Sequence, residues 1–428
     1  MAWQAYTGAT IYTGTGEVIE GGTLLVEDGR VAAVGRRVDI PSDATITDLG
    51  GKTVVPGFVE AHCHAAVFSM SDGEFETDMK GGKGEKTQQG PATPDFDFLY
   101  NFNPYHEHLE QALQGGVTTL LTRPGSGKVI GGMELITKPV GRSREEMIVK
   151  YPAGIKMAFG ENPKRAFGVS RRQSPSTRMG VAATLRERLN DARNYMARQE
   201  AYQRRLAEWE AGSRDPAQRP EPPAADLALE PLVKLLRGEL WAHIHVHRDD
   251  DIMTILRIGD EFGFHYTLEH ATSSFRVVQE IAARNVPCVV GPALVTRDKI
   301  ECLDQGFATP GILEKEGIKI AITTDHPVVP IDLLRMSAAL AHREGLSAEG
   351  TLRAITSGAA EIIGVADRVG SLEPGKDADF QVYDAWPFEL RSRLLQVYVN
   401  GELAYDAATH REEWEVHYPR LAERYRAG

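Results

Sequence analysis

The sequence predicts an α/β protein: a TIM-like (β/α)8 barrel with a small β-sandwich domain built from both ends of the chain. From Pro56 to about residue 367, short apolar runs alternate with segments of helical period. That alternation is typical of a parallel sheet covered by helices. On either side of this region the strands are short and joined by turns, among them Asp28-Gly29 and Asn400-Gly401, which are strong hairpin signals.

The two ends of the chain share the short-strand style. Residues 1–55 contain the segments "ATIYTG", "TLLVEDGRVAAVG" and "ATITDLGGKTVVPG". Residues 368–428 contain "GSLEPGKDADFQVYDA" and "LQVYVNGELAYDA", followed by a charged tail, residues 411–428, with the character of a terminal helix. We expect the two ends to pair into one sandwich beside the barrel.

The middle region, residues 56–367, supplies eight strand candidates. In chain order they are "TVVPGFVEAHCH", "GVTTLLTRP", "MELITKP", "GIKMAFGE", "LWAHIHVH", "FHYTLEHA", "VPCVVGPAL" and "KIAITTDHP". Eight strands favour a closed barrel over an open sheet. Helices are expected between the later strands, for example over 250–262 and 274–284.

An insert over residues 184–237 interrupts the alternation between the fourth and fifth strands. It is rich in Arg, Glu, Gln and Ala around a Pro-rich middle, which predicts two helices joined by an irregular linker. It could be a solvated surface decoration. The alternative is a lid or an oligomer contact, because barrel loops on that side surround the active site.

Bulk composition restricts the partners. A net charge of −12 disfavours binding to nucleic acid or to an anionic membrane surface, both of which need a concentrated basic face. Three cysteines without a CxxC pair suit a reducing compartment. The N-terminus lacks signal-peptide order, and no apolar run approaches the ~18 residues of a membrane span. We expect a cytoplasmic homo-oligomer that acts on a small molecule.

Histidines cluster at the ends of four predicted strands. Seven of the 13 histidines, together with one aspartate, lie there: His62, His64, His243, His245, His247, His270 and His326, with Asp325. Strand geometry points His62 and His64 the same way and Cys63 the other. Imidazole and carboxylate are ligands for zinc, manganese, iron and cobalt. Because strands one, five, six and eight can converge over a barrel mouth, the pattern indicates a divalent metal site.

These residues resemble the metal-dependent amidohydrolase superfamily. The resemblance runs from "TVVPGFVEAHCH" through the strand-end histidines to "GSLEPGKDADFQVYD" and "VYVNGEL". Within the superfamily, "AGIKMAFGENPKR", "HVHRDDDI", "LEHAT" and "TTDHP" are similar to the imidazolonepropionase-like and metal-dependent dipeptidase-like branches. The resemblance implies one or two divalent ions, zinc foremost, with manganese, iron or cobalt as alternatives.

The resemblance also implies the ligands. His62 and His64 would bind the more buried ion. A second ion would be bound by His245 and His270. Asp325 would ligate the first ion and serve as general base. The bridging group from strand four would be a carbamylated Lys156, since a lysine inside an apolar strand otherwise buries an unpaired charge. Glu161, just beyond the same strand, is the rival ligand.

Three residues are expected to contact the substrate. His247 lies one step further out than His245 on the same strand face, so it contacts substrate or is itself a ligand. Lys128 and Arg165 lie near strand ends and could bind an acidic group, as could Arg123 beside Lys128.

The implied reaction is attack of a metal-activated hydroxide on an amide or cyclic amide, with Asp325 as general base and acid. A heterocycle deaminase on the same fold is the alternative, although its members carry a glutamate close after the strand-five histidine and none follows His245 here. A non-catalytic scaffold is a third interpretation, disfavoured because all five ligands are present.

Overall fold

The computed structural model describes residues 3–66, 90–212, 214–297 and 299–411. The strands in this part of the chain are β1 (Trp3–Tyr12), β2 (Val18–Glu27), β3 (Arg30–Gly35), β4 (Thr45–Asp48), β5 (Thr53–Pro56), β6 (Phe58–Cys63), β7 (Val117–Thr122), β8 (Ile130–Met133), β9 (Leu135–Thr137), β10 (Ile148–Lys150), β11 (Ile155–Ala158), β12 (Ala242–Val246), β13 (Tyr266–His270), β14 (Cys288–Val290), β15 (Ile320–Ile322), β16 (Phe380–Tyr383), β17 (Leu394–Val399) and β18 (Glu402–Asp406).

The α-helices are α1 (Glu107–Gln114), α2 (Arg144–Met147), α3 (Glu161–Lys164), α4 (Arg178–Ala211), α5 (Glu230–Leu236), α6 (Asp249–Phe262), α7 (Val278–Ala282), α8 (Thr309–Lys315), α9 (Leu334–Arg343), α10 (Ala348–Arg353) and α11 (Ser357–Ile363). Apart from Arg411, the predicted terminal helix over 411–428 lies outside the described residues. No helix in the described ranges has the length and apolar character needed to cross a bilayer.

Strands from both ends of the chain form one hydrogen-bonded sheet. Its order is β18-β17-β16-β5-β1-β2-β3, with β4 also paired to β1. β5 joins the two ends, because it pairs parallel with β1 and antiparallel with β16. Asp28 and Asn400 both adopt positive φ, as a hairpin turn followed by glycine requires. Over the described residues, the strands of the expected sandwich are hydrogen-bonded into one continuous sheet, and Tyr6 of β1 packs against Phe380 of β16 and Tyr398 of β17.

The middle region is a mixed α/β structure whose later strands follow the prediction. β11, β12, β13, β14 and β15 pair parallel in sequence order, and β6 pairs parallel with β7. Helices α6, α7 and α8 connect the last four of these strands. All five residues of β12 and of β13 are buried, as expected for parallel strands that are covered on both faces.

The third predicted strand, "MELITKP", does not run parallel to its neighbours. It is part of two short consecutive strands: β8 pairs antiparallel with β11, and β9 pairs antiparallel with β7. The segment thus lies between the parallel pair β6–β7 and the parallel strands β11–β15, and it is antiparallel to its neighbour in each group. The prediction of an all-parallel sheet was wrong at this position, because an apolar run specifies burial but not direction.

The insert consists of the two predicted helices. Helix α4 has 34 residues and starts at Arg178, six residues before the predicted insert, with the Thr177 side chain capping the amide of Gly180. Helix α5 follows an irregular linker, and both lie between β11 and β12 as expected. The buried residues of α4 end at Tyr195, so its C-terminal half projects from the core.

A buried ionic cluster joins the terminal sheet to the middle region. Lys138, just after β9, places its Nζ 2.9 Å from carboxylate oxygens of both Asp377 and Asp379, which precede β16. Lys138 and both aspartates are less than 5% exposed. We refer to these three residues as the Lys138 clamp.

Candidate metal centre

The strand-end histidines and the aspartate meet in space. His62 ends β6 together with Cys63, His270 ends β13, and Asp325 follows β15. The Nε2 atoms of His62 and His64 lie 3.4 and 3.2 Å from Oδ1 of Asp325. The ring centroids of His62 and His270 are 4.7 Å apart, and those of His245 and His270 are 4.3 Å apart. The structure therefore brings together all five predicted side chains.

Hydrogen bonds on the far side of each ring fix the tautomers. The Nδ1 atoms of His64 and His270 lie 2.8 and 2.7 Å from backbone carbonyl oxygens, which can only accept, so these nitrogens carry the proton. Nδ1 of His62 lies 2.6 Å from Oε2 of Glu269. In each ring, Nε2 is left with its lone pair directed towards the centre.

The centre has the signature of a site for a cation. Nε2 of His62 and Nε2 of His64 are acceptors, and they lie 3.4 and 3.2 Å from a third acceptor, Oδ1 of Asp325. Lone pairs this close repel one another unless a cation lies between them. Nε2 of His270, Nδ1 of His245 and Oδ1 of Asp325 are all buried without a hydrogen-bond partner among the described residues. Buried polar atoms are normally satisfied, so this donor set fits a divalent metal.

Two ligand candidates have strained backbones. His270 has φ of 68° and Asp325 has φ of 52°, both in the left-handed region that residues other than glycine rarely adopt. Such strain is concentrated at functional sites. In both cases it turns the chain at the strand end, which brings the side chain over the centre.

Of the two candidates for the strand-four ligand, only Lys156 reaches the centre. Its Nζ lies 3.1 Å from Nε2 of His62, and the residue is fully buried. Burial, reinforced by the positive charge of Arg123, lowers the pKa of Lys156 to about 7. The Glu161 carboxylate instead pairs with Arg165 at 3.2 Å.

The acid at the centre is held as an anion. Burial alone would raise the pKa of Asp325, but the neighbouring imidazoles of His270 and His64 and the amine of Lys156 outweigh it and lower the pKa to about 2. Three of the histidines are held neutral: burial, with the nearby positive groups, lowers the pKa of His270 to about 4 and lowers that of His62 and of His245 further. Neutral imidazole is the form that binds metal.

A second group of possible ligands adjoins the first. His245, His247 and Glu301 each offer an atom within 4.8 Å of the others, and all three are buried. Nδ1 of His247 lies 2.7 Å from Oγ1 of Thr272, and its Nε2 lies 3.9 Å from Oε1 of Glu301. Glu301 was not predicted, since it lies in the long connection after β14, outside any motif.

The remaining predicted substrate contacts differ in position. Lys128 is buried, donates to Oγ1 of Thr93 at 3.1 Å and lies 4.2 Å from the ring centre of Phe96. The Arg165 side chain is 59% exposed and has its ion pair with Glu161, so in this structure it does not face the metal-binding group. Arg123 is fully buried beneath the centre, where no substrate reaches it.

Sequence comparison gives the family. The amidohydrolase family profile matches residues 53–404. The chain belongs to the amidohydrolase family. It is accordingly an enzyme that hydrolyses carbon–nitrogen bonds.

Three relatives illustrate the range of similarity. An amidohydrolase from Thermotoga maritima MSB8, known from its crystal structure, is 38% identical with a TM-score of 0.85, covering 94% of this chain and 99% of that one. The imidazolonepropionase of Pseudomonas fluorescens is 24% identical over 97% of this amidohydrolase and 99% of its own length. Amidohydrolase tasK of Hapsidospora irregularis is 28% identical over 90% of this chain, which spans only 40% of tasK.

Proposed function

We propose that this amidohydrolase is a metal-dependent enzyme that cleaves an amide or cyclic amide bond of a small molecule. The observation that carries the proposal is the convergence of Nε2 of His62 and of His64 on Oδ1 of Asp325, beside ring nitrogens of His245 and His270 that are buried without a hydrogen-bond partner among the described residues. Zinc is the metal we favour, as one or two ions, with manganese, iron or cobalt as alternatives. The side chains that would hold it are His62, His64, Lys156, His245, His270 and Asp325.

A divalent ion bound there would supply a water of lowered pKa and would polarise the substrate carbonyl. Asp325 is anionic at neutral pH, because its pKa is lowered to about 2, and it lies beside His62 and His64, which would hold the ion. It would accept the water's proton at a carboxylate oxygen and return it to the departing nitrogen. An amine leaves poorly unless protonated, so this transfer is required for C–N cleavage.

Lys156 would complete the ligand set as a carbamate. With its pKa lowered to about 7, a substantial fraction of the amine is neutral near physiological pH, and the neutral amine is the form that takes up CO2. The resulting carbamate would carry a negative charge, like that of a carboxylate, next to Nε2 of His62. His247 would contact substrate at the edge of the centre, whereas substrate contacts by Lys128 and Arg165 stay predictions from the sequence.

We also propose that the middle region closes into a barrel. Strand β6 and the end of β15 are joined by side-chain and loop contacts: Oγ1 of Thr323 donates to the His62 carbonyl at 2.6 Å, and the amide of His64 donates to the His326 carbonyl at 2.8 Å. These contacts favour residues 56–367 as one barrel domain, with residues 1–55 and 368–428 forming the sheet domain.

One observation favours keeping deamination as a second candidate. Deaminases of this fold place a glutamate near the strand-five histidine, and the Glu301 carboxylate lies 3.9 Å from Nε2 of His247 although it comes from a distant loop. Ammonia released from a heterocycle whose ring stays closed would distinguish deamination from amide hydrolysis.

The proposed function is tested by replacing the acid. N-acyl amino acids, dipeptides and cyclic amides are screened with zinc-loaded protein, and the active substrate is used to compare wild type, D325N and D384N. We expect D325N to keep most of its metal and to lose turnover by a factor of about 10²–10⁴, because proton transfer contributes on that order. The exposed Asp384 is the control and should change nothing. A D325N variant as active as wild type would contradict the assigned role.

A further inference from the structure

Beneath the metal-binding group lies a buried ionic network that the mechanism above does not use. It contains a guanidinium, two carboxylates and an imidazole, contributed by four separate strands or strand ends: Arg123, Glu134, Glu269 and His243. All four are at most 1% exposed. Removing this much charge from water is costly unless the groups pair, so the network calls for an explanation.

From these contacts we infer that Glu269 is a positioning residue, which fixes His62 in the tautomer and orientation needed to bind a metal ion. The inference rests on the proposed metal-dependent function. Glu269 is not among the expected ligands, and its direct contact with the centre is to the ring of His62.

The geometry around Glu269 is specific. Its Oε2 lies 2.6 Å from Nδ1 of His62 and 3.1 Å from Nη1 of Arg123, while its Oε1 accepts from the hydroxyl of Thr267. Both oxygens are therefore engaged, one by a hydroxyl of the same strand and the other by side chains from two other elements of the fold. His62 cannot rotate or shift without breaking its contact with a carboxylate that is itself held in place.

The position of the proton follows from the same contacts. Nη1 of Arg123 also lies 3.2 Å from Nδ1 of His62, which would suit an unprotonated Nδ1. The contact from Nδ1 to Glu269 is much shorter, and the guanidinium has Glu269 as its own acceptor. Nδ1 of His62 therefore carries the proton, and Nε2 presents its lone pair to the centre.

Arg123 holds Glu269 in place and links it to the rest of the network. Its Nη2 donates to the Ala61 carbonyl at 2.9 Å, and its Nε lies 3.3 Å from Oε1 of Glu134, whose other oxygen is hydrogen-bonded to His243. One cation thus lies between two carboxylates. A carboxylate that accepts from a metal-binding imidazole raises the basicity of the opposite nitrogen, and losing such a partner typically weakens metal binding about 10- to 100-fold.

The inference is tested by measuring zinc and cobalt affinity, without reference to any substrate. Wild type, E269Q, E269A and D379N are stripped of metal, then titrated in competition with a chelator, and the visible spectrum of the cobalt-loaded proteins is recorded. Asp379 is the matched control: it too is a buried carboxylate paired with a buried cation, Lys138, but no histidine in the described ranges is hydrogen-bonded to it.

We expect a graded loss. Glutamine can still accept from Nδ1 of His62 but carries no charge, so E269Q should bind about tenfold more weakly, and E269A, which has no acceptor, about 100-fold more weakly. The cobalt spectrum should change in both. D379N should bind within about twofold of wild type with an unchanged spectrum, even though its stability falls.

Two results would overturn the inference while leaving the proposed function intact: wild-type affinity in both Glu269 variants, or an equal loss in D379N, which would mean a general structural effect. If E269A does not fold, the affinity and spectrum of E269Q decide. A wild-type protein that binds neither ion would overturn the metal site itself, and the inference with it.

Discussion

At His62, the hydrogen bond on the far side of the ring determines that the nitrogen facing Asp325 is unprotonated. The Glu269 carboxylate accepts a hydrogen bond from the protonated Nδ1, so Nε2 is left as an acceptor. The same division applies to His64 and His270, whose Nδ1 atoms donate to backbone carbonyls. Orientation by a partner on the far side is what prepares an imidazole to bind metal before the metal arrives.

Metal retention should persist to unusually low pH. Burial lowers the pKa of His270 to about 4, and that of His62 further, so these rings stay neutral well below the ordinary histidine value of 6.5. At these two rings, protons compete with metal only once the pH falls to about 4. Zinc-loaded protein dialysed at pH 7, 5.5 and 4 should keep its zinc at the first two values and lose it at the last, as measured by elemental mass spectrometry. Half-loss near pH 6.5 would contradict this.

The metal-binding residues could be predicted from the sequence, whereas their supporting residues could not. The spacing of His62 and His64, and the recurrence of histidine at strand ends, indicated the site directly. Glu269 was missed because strand alternation points it to the opposite face from His270. The positive φ at His270 ends that alternation, and backbone strain of this kind leaves no sequence signal.

At the scale of elements, the antiparallel segment β8–β9 is the main departure from the predicted pattern. It occupies the place expected for a parallel third strand, between β7 and β11. Its direction is imposed by the short connection from β7, which returns the chain without a crossover helix. Parallel pairing usually requires a crossover helix, and no helix lies between β7 and its partner strand β9 in the described chain.

The glycine in β8 gives a direct test of how tightly this segment is packed. Gly132 has φ of 129°, and a Cβ there would lie 2.4 Å from the backbone oxygen of Phe96. We expect G132A to lower the free energy of unfolding by about 3 kcal/mol, from strain and displacement of backbone. In urea unfolding, the control G131A should cost far less, since its Cβ would meet nothing closer than 3.4 Å. Equal stability of the two variants would contradict the packing described.

At the scale of the whole molecule, both ends of the chain converge on one sheet, and the Lys138 clamp ties that sheet to the catalytic region. The pairing of the ends could be predicted from their shared strand style and hairpin turns. The clamp could not, because Lys138 and Asp379 are 241 residues apart and neither lies in a pattern of its own. Long-range ion pairs of this kind become visible only in three dimensions.

Removing the clamp lysine should destabilise the molecule strongly. K138M would leave Asp377 and Asp379 buried without their shared cation, at a cost of about 3–5 kcal/mol. K319M removes a lysine from an exposed pair with Glu361 and should cost at most about 1 kcal/mol. Urea unfolding followed by tryptophan fluorescence compares the two variants, and a K138M midpoint equal to that of K319M would show that the clamp contributes little.

The proposed function depends most directly on a divalent ion held between His62, His64 and Asp325. Anomalous diffraction at the zinc edge, from crystals grown with zinc, locates such an ion without reference to activity. We predict a peak about 2.0–2.2 Å from Nε2 of His62 and from Nε2 of His64, and bonded to Asp325. A crystal grown with zinc that shows no peak between these three side chains would contradict the proposed metal site.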